Sequence, residues 1–126
     1  MTNYIWITTQ KEMYHRYPDA PNRVKFLRNE HRHIFHYKVS IEVEHNERDI
    51  EFIMFKRYVD YLLGGLEDLG DQSCEMISDW LAERIQIKYP NRHIKIEVSE
   101  DGENGTEKFY DKSQSLNSQT NLNNIK

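Results

Sequence analysis

From His33 to His45 the chain alternates with a strict period of two. Phe35, Tyr37, Val39, Ile41 and Val43 fall on one side of an extended backbone, and His36, Lys38, Ser40, Glu42 and Glu44 on the other. A strand of this kind has one dry face and one wet face, so it requires a second layer over the dry one. Two later segments supply it. After Asp49, a candidate N-cap, Phe52, Phe55, Val59 and Leu62 recur at helical spacing, with Tyr58 and Leu63 widening the stripe and Gly64-Gly65 closing it. A second helix is expected from about Ser73, with Met76, Ile77, Trp80, Leu81 and Ile85 on one face and Glu75 in its first turn; Tyr89-Pro90-Asn91 stops it.

The remaining segments read as strands. Tyr4 to Thr9 mixes aromatic and β-branched residues, and a loop with the turn formers Pro18, Asp19 and Pro21 follows. After the second helix, HIKIEV alternates again, Asp101-Gly102 and Asn104-Gly105 signal a turn, and Thr106 to Tyr110 returns. The order β-β-α-α-β-β predicts an α+β domain: a four-stranded antiparallel sheet with two helices on one face. Phe52, Met54, Phe55, Met76 and Trp80 are expected in its core. Residues 1–111 form the expected domain. From Lys112 the text KSQSLNSQTNLNNIK has no periodicity and little to bury, which predicts a flexible polar tail over 112–126.

Composition excludes some partners. A net charge of −4 with scattered basic residues argues against binding the phosphate backbone of nucleic acid. The sequence has no apolar run long enough for a membrane and no signal-peptide pattern, because MTNYIWIT gives way at once to polar residues; a cytoplasmic location is the expectation. With Cys74 as the single cysteine no internal disulfide can form, which agrees with a reducing compartment. At the start of the second helix Cys74 reads either as a thiol activated by the helix N-terminus or as a small residue packed beneath it.

Six histidines remain. His31 and His33 are one residue apart, so a strand presents both imidazoles on one face, where they make half of a divalent metal site, usually zinc. His15, upstream in KEMYHRYPDAPN, is a candidate third ligand. The competing reading makes them ordinary polar residues of a half-exposed strand. His36 belongs to the opposite face, and His36, His45 and His93 are expected to do nothing chemical.

The element order, a histidine in the first loop, a His-x-His opening strand two and an acidic end to strand three together resemble the tunnelling-fold family, in particular 6-pyruvoyl- and 6-carboxy-tetrahydropterin synthases. The resemblance spans roughly Tyr4 to Tyr110. HRYPDAPNRVKFLRNEHRHIFHYKV is similar to the family's zinc segment, DIEFIMFK to the opening of its first helix, SCEMISDWLAERI to its Thr-Ser-Glu-Asn helix start, and IKIEVSE with Tyr110 to the strand whose glutamate anchors the pterin. The resemblance implies zinc held by His15, His31 and His33, a pterin or purine ring gripped by Glu100, and helix-end amides of Ser73, Cys74 and Glu75 offered to the same ligand. It also implies a homo-oligomer, a hexamer or tetramer, whose sheets join into a barrel with pockets at the seams.

The chain departs from the family's catalytic pattern. The family cysteine four residues before the His-x-His is Leu27 here, the central glycine of the His-x-His is Arg32, and GGLEDLGDQ lacks the family's histidine. A leucine moves no proton, and general acid–base help is worth ~10²–10⁴-fold in rate. As an enzyme the chain would be a zinc-dependent carbon–oxygen lyase acting on a dihydropterin triphosphate, its base recruited from Glu30, Asp68, Asp71 or Cys74. The alternative is a binding protein that captures a guanine-like nucleotide or metabolite without turnover.

Overall fold

A computed structural model describes residues 2–66 and 68–112. Four strands, β1 (Asn3–His15), β2 (His31–Val43), β3 (Ile94–Glu100) and β4 (Asn104–Tyr110), form one antiparallel sheet in the order β1-β2-β3-β4. Between β2 and β3 run α1 (Phe52–Gly64) and α2 (Cys74–Lys88). The architecture is the expected α+β one. A 3-10 segment, Asn22–Arg28, adds a third short helical piece to the β1–β2 connection. Of the expected tail over 112–126, all beyond Lys112 lies outside the described residues.

The period-two reading of β2 holds residue by residue: Phe35, Tyr37, Val39, Ile41 and Val43 are buried and their neighbours are not. They meet Ile96 and Val98 from β3, Phe55, Val59 and Leu63 from α1, and Ile77, Leu81 and Ile85 from α2 in one core cluster. Burial of such side chains contributes ~1.5–3 kcal/mol each.

The first strand runs on to His15, six residues beyond the expected end at Thr9. Its inner face there carries Thr9 and Lys11, which look wrong for a dry surface. Both find partners on α1: Thr9 Oγ1 donates to Asp60 Oδ1 and Lys11 Nζ donates to the Leu63 carbonyl at 2.7 Å. The ammonium thereby adds a donor to a carbonyl in the last turn of the helix, which also accepts from the Leu66 amide.

The helices differ from expectation in detail. Glu51, not Asp49, caps α1, its carboxylate accepting from Ile53 and Met54 amides at 2.8 and 3.3 Å. Asp49 is engaged elsewhere, accepting from the Glu44 amide and from Arg92 Nη1. In α2 the buried face is Cys74, Ile77, Ser78, Leu81, Ala82 and Ile85, a stripe at three- and four-residue steps that leaves Met76 outside. Phe52, Met54 and Met76 are therefore surface residues and not core. Ser78 is buried without cost because its hydroxyl shares a 2.8 Å hydrogen bond with the Tyr110 phenol, which donates to Asp79 and ties β4 to α2.

Asp101-Gly102 is the β3–β4 turn. Both residues have positive φ (56° and 70°) and the Glu103 amide donates to the Glu100 carbonyl, a type I′ geometry. Asn104-Gly105 is not a turn but the start of β4. Gly105 lies opposite Ser99, so close to the Val98 carbonyl and Ser99 Cα that a side chain there has no room. No helix among the described residues is long and apolar enough to cross a membrane.

Candidate metal centre

The antiparallel register of β1 and β2 pairs His15 directly with His31 and Met13 with His33. Odd-numbered residues of both strands face inward at this end, so three imidazoles converge. Their ring centroids are 4.5, 4.9 and 5.3 Å apart, and each contributes one nitrogen to a set lying within 4.8 Å of one another. These three histidines are close enough to hold a metal ion. His36, as expected, is on the other face.

Each ring has one nitrogen committed. His15 Nδ1 lies 3.1 Å from the Gln72 carbonyl, His31 Nδ1 2.8 Å from the Asn29 carbonyl, and His33 Nδ1 2.7 Å from Asp101 Oδ2. Carbonyl and carboxylate oxygens only accept, so each Nδ1 carries the proton and donates it. This leaves Nε2 of each ring as the nitrogen that offers a lone pair to a cation when the imidazole is neutral. His15 Nε2 and His33 Nε2 are buried and lack a hydrogen-bond partner. Buried polar nitrogens without partners are costly, and a cation between them removes that cost.

Glu100, at the end of β3, completes the cluster. Its Oε2 is 3.0 Å from His15 Nε2 and its Oε1 is 3.8 Å from His33 Nε2, close for charge attraction but not aligned for a hydrogen bond in the ring plane. The contact with His15 holds the Glu100 carboxyl below its ordinary value, against the opposing effect of burial. For His15 burial acts downward, yet the Glu100 carboxylate and the Gln72 carbonyl together raise the imidazole above its ordinary value. A cation at Nε2 would compete with protonation of that nitrogen.

The Gln72 carbonyl reaches His15 because the segment after α1 runs alongside the end of β1. Leu69 N donates to the Tyr14 carbonyl, Arg16 N donates to the Gly70 carbonyl, and Asp68 forms a parallel bridge with Tyr14. The stretch after α1 thus supplies the site with a backbone acceptor.

Beside the imidazoles opens a cleft of about 520 Å³, whose lining includes His15, His31, Leu27, Asp71 and Glu100. Ser73, Cys74 and Glu75 at the start of α2 line the same cleft. The Ser73 hydroxyl is occupied by the Met76 amide as helix cap. Cys74 is buried, and burial pushes its thiol up to about 12, with the charges of Glu100 and Glu75 adding to the effect; the lowering expected at a helix N-terminus is overridden. Of the other residues weighed as bases, Asp71 lines the cleft and pairs with Arg16 at 3.1 Å, while Glu30 and Asp68 lie outside it. Asp68 caps its own turn through the Gly70 amide.

The sequence offered His31, His33 and His15 as a set and, through the family resemblance alone, Glu100 as a ligand anchor; it missed what stands behind them. Asp101 was legible only as a turn residue, and the backbone acceptors at Asn29 and Gln72 carry no side-chain signal at all. No protein-family model matches the chain, and no curated protein matches it either.

Proposed function

We propose that this chain is a zinc-binding protein of the tunnelling-fold pterin synthase type, which takes a pterin- or purine-type ligand in the cleft between the three histidines and the start of α2. The observation that carries this reading is the triad itself: three inward Nε2 atoms, each ring fixed from behind through Nδ1, with Glu100 beside them at the cleft. Zinc suits a set of imidazole nitrogens with room left for one more ligand, and when bound it supplies a Lewis acid for a hydroxyl or carbonyl of the ligand side chain. Glu100 offers two acceptor oxygens to adjacent N–H groups of a ring. The free edges of the sheet, β1 and β4, are where copies would join into the barrel and place such clefts at the seams.

Capture without turnover is the version favoured by the residues around the cleft. Leu27 stands in its wall where a proton-moving cysteine would be needed, Cys74 is a buried thiol at about 12, and Asp71 is tied to Arg16. The deciding experiment combines metal analysis, light scattering and mass spectrometry of any carried ligand with incubation on dihydroneopterin triphosphate. Zinc near one equivalent per chain, an oligomer and a retained or titratable purine or pterin without product support binding. Product formation restores the lyase. A metal-free monomer that binds neither ring class defeats the whole reading.

A further inference from the structure

We propose that Asp101 is the positioning residue of the metal centre, holding His33 as a ligand from behind while forming the β3–β4 turn. The inference rests on the metal reading above and adds a residue and a role to it. Of the three ring contacts at Nδ1, two go to backbone carbonyls and only that of His33 goes to a carboxylate. A carboxylate acceptor fixes both the tautomer and the plane of a ligating imidazole and enriches its far nitrogen.

The placement of Asp101 is over-determined. Its Oδ2 takes the His33 Nδ1–H at 2.7 Å, its Oδ1 takes the Ile34 amide at 2.9 Å, and its own amide donates to the Ile34 carbonyl at 2.7 Å. The residue therefore extends the β2–β3 ladder one step past Glu100, and neither oxygen can swing away without losing a bond. The left-handed backbone at residue 101 (φ 56°) turns the chain back at once, so Glu100 and Asp101 approach His33 from its two ends, one at Nε2 and one at Nδ1. Asp-Gly is well suited to a type I′ turn, so the turn alone would explain an aspartate. It does not require the carboxylate to lie on an imidazole.

The same turn chemistry separates the two roles, because Asn-Gly forms type I′ turns as readily as Asp-Gly. In Asp101→Asn the turn persists and the charge behind His33 is lost; in Asp101→Gly the turn persists and the side chain is gone. The test measures zinc affinity of the full chain by competition with a chromophoric chelator, the metal-free thermal midpoint, the visible spectrum with cobalt(II) in place of zinc, and the ring ¹⁵N shifts of His33. Both variants should lose about 10–100-fold in zinc affinity, with an altered cobalt spectrum and a shifted His33 Nδ1 resonance; the metal-free midpoint should hold in Asp101→Asn, which keeps an acceptor for the Ile34 amide, and fall in Asp101→Gly, which does not. Affinity within twofold of the parent overturns the assignment while leaving the metal reading intact. In Asp101→Asn, a loss of affinity that tracks a fall in the metal-free midpoint also overturns it, by showing a structural role only. A parent chain that takes up neither zinc nor cobalt overturns the metal reading, and this assignment with it.

Discussion

His15 and His31 are cross-strand partners: the last residue of β1 pairs with the first of β2, and their rings stand edge to face with centroids 4.5 Å apart. Residues sixteen positions apart in sequence are thereby brought to one spot by a ladder that begins at Asn3 and Val43. Any error of one step in that register would turn one of the two imidazoles to the opposite face.

Because the nitrogens of the triad converge only in the folded chain, zinc should stabilise the fold. At a free concentration a hundredfold above the dissociation constant the gain is about 2.7 kcal/mol, read as a rise in thermal midpoint that a chelator reverses. His31→Ala should abolish the zinc-dependent rise. Its half-exposed position should keep the metal-free midpoint near that of the parent.

Cys74 should behave as an inert thiol. With its pKa pushed up to about 12 and its side chain buried, labelling of the native protein near neutral pH should be at least about a hundredfold slower than labelling after unfolding. Cys74→Ser should retain metal and ligand binding. Rapid stoichiometric labelling of the native chain would return Cys74 to the list of catalytic groups.

Asp49 sets an acid limit on stability. The hydrogen bond from Arg92, then that from the Glu44 amide, outweigh burial and hold its carboxyl below the ordinary value. A depressed native pKa means the unfolded state binds the proton first, so stability rises with pH across this window. The contribution is whole above about pH 4, the ordinary range of an aspartate, and is lost as pH falls through the lowered native value. Asp49→Asn should cost about 2 kcal/mol at neutral pH. Denaturant melts from pH 2 to 7 should show this difference shrinking toward the acid end; a constant difference would refute the linkage.

Gly105→Ala tests the close approach of β4 to β3. A methyl group at that position meets the Val98 carbonyl and the Ser99 backbone, which cannot yield as a flexible side chain would. A loss of about 3 kcal/mol is expected, with the cleft wall disturbed, since Gly105 also lines it. Gly64→Ala, where a Cβ meets nothing within 4 Å, serves as the control and should be neutral or stabilising.

The sequence betrayed elements with one dry face and hid those whose polar residues are satisfied at a distance. β2 was readable through its core because its alternation is intrinsic to the strand, although it spans His31–Val43 rather than His33 to His45. The second half of β1 was not, because Thr9 and Lys11 face inward only by virtue of Asp60 and Leu63, more than fifty residues away. By residue type Asp49 is the favoured cap and Glu51 is not, and only the position of Arg92 shows why Asp49 is engaged elsewhere. In the site, the His-x-His spacing put His31 and His33 on one face, while His15 was a candidate third ligand that the family resemblance singled out. The supports behind them are two backbone carbonyls and a turn aspartate, which pattern reading passes over.

The two long strands outrun the rest of the sheet. β1 and β2 pair over their whole length, but β3 covers β2 only from Phe35 to Ile41, leaving the histidine end as a two-stranded ribbon about 13 Å long. Ribbons of that size are marginal alone, so this one persists through what ties its tip: the Asp101 turn, the Leu69–Tyr14 bond and whatever the imidazoles hold. Its amides should exchange with solvent through local fraying, at a free energy below that of global opening. A cation across the tip would then slow exchange at residues 12–15 and 31–34 far more than in the sheet centre, acting as a latch on one end of the molecule.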